Sequence, residues 1–168
     1  MKTIPLEFAT WSGFSFSPVR EGELTALVDL EMRYAIKQTE GFFHVLNWER
    51  GAGPFEVAAF THEIDAVREL LIILGESGRS SNSRERLDVP AGIPTTEASM
   101  VLEKTEDGWA ELSWEEDRER HSRLFRNSLV GHLHMRLFAQ SVGFSISVLV
   151  DSLRSVNGEP VFRTVASA

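Results

Sequence analysis

Two short stretches hold residues whose types could do chemistry. His132 and His134 flank Leu133 in "HLH"; on a strand, alternate side chains share a face and such a pair could ligate a metal. The surrounding pattern is helical, and on a helix positions two apart diverge by roughly 200°, so both read as surface or capping histidines. "GESGRSS", residues 75–81, has the glycines and hydroxyls of a phosphate loop. Phosphate cradles lie between a strand and the start of a helix and carry a lysine; this stretch follows a helix and has none, so it reads as a helix end running into a connection. His44, His62, His121, His132 and His134 each lie in a run with a structural role, and no nucleophile, base and orienting group can be assembled around them. The chain is therefore read as a protein that is not an enzyme and that uses no cofactor or metal, with turnover at His132 or His134 as a minor alternative.

Recognition is the other chemistry to consider. "FAQSVGFSISVLVDSL", residues 138–153, has helix-turn-helix spacing, with Ala139 four residues before Gly143 and Leu149 six after it. A helix that reads DNA needs Arg, Lys, Asn or Gln at its exposed start. Residues 145–152 supply serines, an acid and apolar side chains, with Arg154 beyond them. A small DNA-binding regulator is thus the alternative reading. "NWERGAGP" sets Trp48, Glu49 and Arg50 beside Gly51 and Gly53, pairing residue types that anchor interfaces with glycines that let a backbone approach closely. Equally, Trp48 could end a core strand and Arg50 could solvate a turn.

The elements that position these residues follow from patterning. Met32, Tyr34 and Ile36 alternate along one strand, Glu40-Gly41 makes a turn, and "FFHVLNW" is its partner. Gly51, Gly53 and Pro54 are expected to break the ladder as a protruding loop before "PFEVAAF" resumes it. Thr61 is the expected N-cap of a helix with Ile64, Val67, Leu71 and Leu74 on one face, ending at Gly75. Residues 76–94 read as a long polar connection, and "ASMVLEKTEDGWAELSW" as a second hairpin turning at Asp107-Gly108. "EEDRERHSRLFR" is open between strand and helix, and the charge alternation of "WEEDRER" suits a solvated face. Ser128 to Gln140 predicts a helix closed near Gly143, Ser145 caps a last helix ended by Asn157-Gly158, and "EPVFRTV" is a terminal strand. The fold class is α+β, a meandering antiparallel sheet with about three helices packed on it, as one domain over residues 1–168.

Composition narrows the partners. The 168 residues are 42% apolar, with 11 Phe and 4 Trp, enough for one core without staples. Cysteine is absent, so disulfides and thiolate metal sites are too. No run of about 18 apolar residues and no signal-peptide pattern occurs, which predicts a cytoplasmic protein with no membrane partner. With 25 Asp and Glu against 17 Lys and Arg, the net charge of −8 disfavours nucleic acid and favours a basic partner.

The order of pieces resembles the bacterial immunity protein 61 family. "MRYAI…GFFHV" is similar to its strand, turn and aromatic strand, "GESGRSSNSRERLDVP" to its connection after the first long helix, and "SISVLVDSLRSVNGEPVF" to its last helix, turn and apolar strand. The match runs with gaps over most of residues 11 to 163. The resemblance implies a one-to-one complex with a cognate secreted toxin domain that cleaves NAD, whose substrate cleft a backbone loop of the immunity protein enters. The residues at the matching position are Asn47, Trp48, Glu49, Arg50, Gly51 and Gly53, with Gly75, Glu76 and Arg79 as a second group.

Overall fold

The computed structural model describes residues 4–89 and 100–165, so part of the expected connection and the first residues of the second hairpin lie outside it. A short helix α1 (Leu6–Trp11) leads into strands β1 (Ser15–Phe16), β2 (Glu23–Val28), β3 (Met32–Thr39), β4 (Phe42–Glu49) and β5 (Ala52–Phe60), followed by the long helix α2 (Glu63–Ser81). After β6 (Leu87–Asp88) come β7 (Val101–Lys104), β8 (Trp109–Glu116), β9 (Glu119–Arg126), α3 (Leu129–Ser141), α4 (Ile146–Arg154) and β10 (Arg163–Thr164). An eight-stranded antiparallel sheet runs β1-β2-β3-β4-β5-β9-β8-β7, and β6 pairs with β10. This is the expected α+β arrangement.

Turn chemistry sets the meander. Glu40-Gly41, Arg50-Gly51 and Asp117-Arg118 all have positive φ at both positions, the primed geometry whose twist matches a two-residue hairpin. Asp117-Arg118 was hidden because neither residue is glycine, and it resolves the ambiguous charged run into a turn followed by β9. That run is not a uniformly solvated face: Trp114 is buried and Glu116 pairs with Arg68 at 2.8 Å.

Gly53 and Pro54 do not break the ladder, contrary to expectation. They belong to β5, where the register shifts between the Asn47–Phe55 and Glu49–Ala52 pairs. Two residues then oppose Trp48 alone, a bulge in which a proline without an N–H costs no ladder bond.

Helix α2 crosses the inner face of the sheet and organises the core. It does not end at Gly75. A Cβ at Gly75 would lie 2.7 Å from Leu153 Cδ2 of α4, and one at Gly78 would lie 2.5 Å from the Trp11 ring of α1. Both glycines therefore sit inside the helix because neighbouring helices approach there, which outweighs their poor propensity. The helix closes at Asn82, whose side chain donates to Gly78 O at 2.7 Å. Nor does Thr61 cap it: its hydroxyl accepts from the Ser122 N–H at 2.9 Å, tying β9 to the end of β5. Ser128 and Ser145 do cap α3 and α4. The terminal strand is shorter than expected, since Val161 and Phe162 leave the ladder to enter the core.

One face of α2 buries charge. Arg123 of β9 donates to Glu69 at 2.7 Å with both side chains buried, and the guanidinium lies 4.8 Å from the Phe125 ring centroid and 5.4 Å from that of Phe138. Arg68 joins Asp65 at 2.7 Å and Glu116 through two bonds of 2.8 Å, and His121 Nδ1 lies 2.6 Å from the other Asp65 oxygen. Burial raises the Glu116 pKa, but hydrogen bonds and charge from Arg68 more than offset this and hold it below its ordinary 4.5.

Two outcomes follow for stability. Glu69→Ala leaves the Arg123 charge buried alone and should lower the unfolding free energy by about 3–5 kcal/mol, read as a lower urea midpoint at unchanged m value. A carboxylate whose folded pKa is depressed contributes stability that is complete above its unfolded value, near 4.5, and is lost as pH falls through the folded one. Denaturant titrations should therefore show stability falling on acidification below that value, with Glu116→Gln weaker at neutral pH and less sensitive to acid.

Candidate functional site

The predicted residues Asn47, Trp48, Glu49, Arg50, Gly51 and Gly53 come together at one end of the sheet, on the β4–β5 turn and its flanks. The β2–β3 turn stands beside them. Asp29 Oδ1 accepts from the N–H groups of Glu31 at 2.7 Å and Met32 at 2.6 Å, which fixes that turn locally. The Arg50 N–H donates to the Glu31 carbonyl at 2.7 Å, and Arg50 Nη2 to Glu31 Oε1 at 3.0 Å. Both side chains are exposed, so the ion pair itself adds only about 0–1 kcal/mol. The main-chain bond is what joins the two turns.

Trp48 lies on the outer face, paired across the strands with Arg33. The guanidinium of Arg33 lies 4.7 Å from its ring centroid and that of Arg20 5.4 Å. Arg33 in turn grips Glu23 through bonds of 2.9 and 2.6 Å, and Glu23 accepts the Arg20 N–H at 2.7 Å. Burial pushes the Glu23 pKa up, yet the Arg33 hydrogen bond, the Arg20 N–H and their charges bring it below the usual carboxylate range. Trp48 is thus a stacked, fixed platform that stiffens the tip.

The glycines of the tip differ in kind. Gly51, at φ +84°, has open space where a side chain would stand. Gly53, at φ +133°, has none: a Cβ there would be 2.8 Å from Asn47 O and 3.2 Å from Trp48 Cα. Gly51 presents bare main chain at the apex, and Gly53 lets the two strands close behind it.

Sequence reasoning missed Leu30 and Phe55. Leu30, at the apex of the β2–β3 turn, is fully exposed at 104% relative accessibility, and Phe55 is 54% exposed opposite Asn47. The available signal was an apolar residue between Asp29 and Glu31 in a turn, where solvation alone would select a polar one.

Gly75, Glu76 and Arg79 are not at the tip. Gly75 is buried against Leu153, and Arg79 is buried with its guanidinium donating to the carbonyls of Glu85, Leu153, Ser155 and Val156 at 2.5–3.2 Å, closing the end of α4. Glu76 is partly exposed, 3.8 Å from His134 Nε2. In the helix-turn-helix of α3 and α4, the outward residues of α4 are Ser147, Asp151 and Arg154, and its other side packs on α2. Among the described residues no helix is long and apolar enough to cross a membrane.

The model of the family described as immunity protein 61 matches residues 8–161. No curated protein sequence matches this chain. Among solved structures, Rv3902c from M. tuberculosis has a similar fold, with a TM-score of 0.73 at 18% identity, covering 96% of this chain and 93% of that one.

The tip geometry separates its two glycines experimentally. Gly53→Ala should destabilise the protein by about 1–3 kcal/mol, because backbone must move to admit the methyl group. Gly51→Asn should change stability by about 0.5 kcal/mol or less, since asparagine tolerates the left-handed region. Thermal melts of both variants check this.

Proposed function

We propose, from the premise that this chain belongs to the immunity protein 61 family, that it protects the cell making it by binding the catalytic domain of a cognate secreted toxin of the NAD-glycohydrolase type. The complex is one-to-one and cytoplasmic. The immunity protein performs no chemistry; it inhibits by covering the substrate cleft with the sheet end formed by Asn47 to Gly53 and the neighbouring turn. The observation that carries this reading is the tip itself, where exposed main chain at Gly51 and the exposed Leu30 lie on two turns joined by a backbone hydrogen bond, with the exposed Phe55 on β5 behind the second turn.

The physical demands of inhibition agree with it. Holding a lethal enzyme inactive calls for about nanomolar affinity, roughly −12 kcal/mol, from an interface on the order of 1,600 Å² with a few anchors. A loop that must order on binding loses part of that energy, and a hairpin turn fixed before contact loses less. The net charge of −8 would speed encounter with the basic cleft expected of an enzyme that binds a pyrophosphate. Gly75 and Arg79 are buried and Glu76 is partly exposed, which supports placing the proposed contact at the tip rather than at this second group. The exposed side of α4 carries no set of base-reading side chains, so the regulator reading gains nothing.

The test is co-expression with the toxin domain encoded beside it, scoring growth, cellular NAD and co-purification. Rescue with a stable complex is expected. Leu30→Asp and Gly51→Asn should each weaken the complex at least about tenfold, about 1.4 kcal/mol, with the melting temperature nearly unchanged. Toxicity without a complex would overturn the immunity reading for that toxin; rescue by both variants at wild-type affinity would move the contact away from the tip.

A further inference from the structure

The geometry points to a divalent metal site of the zinc class at the opposite end of β5, formed by His62, Glu119 and His121, independent of the toxin-binding reading. His62 links β5 to α2, while Glu119 and His121 are alternate residues of β9 and so share a face. One ligand atom from each lies within 4.8 Å of the others. His62 Nε2 is already 3.1 Å from a Glu119 carboxylate oxygen.

Both imidazoles are held by their other nitrogen. His62 Nδ1 lies 3.0 Å from Thr61 Oγ1, and His121 Nδ1 lies 2.6 Å from Asp65 Oδ2, a fully buried carboxylate. A carboxylate behind an imidazole fixes its tautomer, raises its basicity and leaves Nε2 to ligate, which is the arrangement that supports metal-binding histidines. Two nitrogens and one oxygen suit zinc, cobalt or nickel; calcium and magnesium prefer oxygen throughout. Around the site, Asp65 and Glu116 share the guanidinium of Arg68, and Glu119 adds a further carboxylate on His62, which favours a cation.

The two rings stack 3.7 Å apart with 18° between their planes. The ligand atoms, now within 4.8 Å of one another, must close in on one ion, and the partly exposed His62 is the side chain free to do so, relaxing its contact with Thr61. Glu119, 69% exposed, leaves the fourth position open to water. A bound ion would cross-link the start of α2 to the β8–β9 hairpin, where Asp117 and Arg118 hold positive φ.

The experiment is calorimetric titration of untagged protein with zinc chloride, with cobalt absorption as a probe of coordination. Wild type should bind one equivalent at micromolar Kd or tighter and give the intense visible bands of tetrahedral cobalt. At zinc a hundredfold above Kd the melting temperature should rise by roughly 5–10 °C. His62→Ala and Glu119→Ala change exposed or partly exposed side chains, so both should fold, and each should weaken zinc at least about tenfold and abolish the thermal shift. His132→Ala, away from the site, should change neither. Absence of stoichiometric binding in wild type would overturn the proposal, and so would zinc affinity that survives both substitutions.

Discussion

The structure depends on how α2 disposes of the charges it buries. Asp65, Arg68 and Glu69 follow one another along a helix whose other faces are packed, and all three are buried. A lone charge in such a place would cost several kcal/mol, so each must find a partner on the sheet. The partners come from one hairpin: Glu116 from β8, His121 and Arg123 from β9. This matters because β9 joins the rest of the sheet through only Ala58–Phe60 of β5. A short ladder specifies register weakly, and a slip by one residue would turn Arg123 and His121 to the opposite face, leaving Glu69 without Arg123 and Asp65 with Arg68 alone. The ion pairs are therefore better understood as fixing which way β7, β8 and β9 dock than as a large net gain in stability.

The same reasoning shows what was legible in the sequence. Strands with strict alternation and glycine turns, such as the hairpin at Glu40-Gly41, were readable because the information is local. So were α3 and α4, whose serine caps stand next to their apolar positions. What failed was information carried by distant residues. Gly75 looked like a helix end because glycine usually is one; that Leu153 needs its missing Cβ is a fact about a residue far along the chain. Arg79 looked like a polar loop residue and is instead the donor that closes α4. Gly53 and Pro54 read as ladder breakers, and a single bulge opposite Trp48 absorbs both. The metal-ligand triad falls in the same class, because His62 is joined to Glu119 and His121 only by the pairing of β5 with β9.

For the candidate site, residue type left the run from Asn47 to Gly53 open between interface and plain turn and the family resemblance singled it out, but the physical roles within it are divided otherwise than the sequence implies. Trp48 is the residue an interface would be expected to use as an anchor, yet its ring is covered by Arg33 and Arg20. Its contribution is stiffness. The exposed apolar surface here belongs instead to Leu30, on the β2–β3 turn, and Phe55, in β5. Apolar side chains displayed on rigid turns lose little entropy on binding, whereas a flexible glycine loop would lose much more.

The two ends of β5 thus carry opposite kinds of organisation. At the apex of the tip, charge is exposed, as in the Arg50–Glu31 pair, and the main chain joins the turns, with the largely buried Arg33–Glu23 pair set behind it against Trp48. At the α2 end, charge is inside and does the positioning itself, through groups that cannot leave without exposing a buried partner. Inhibition by shape, as proposed, needs this division. The buried network fixes one arrangement of strands, so the distant turns occupy one place, while the exposed side chains at their apices can change at small cost to the core.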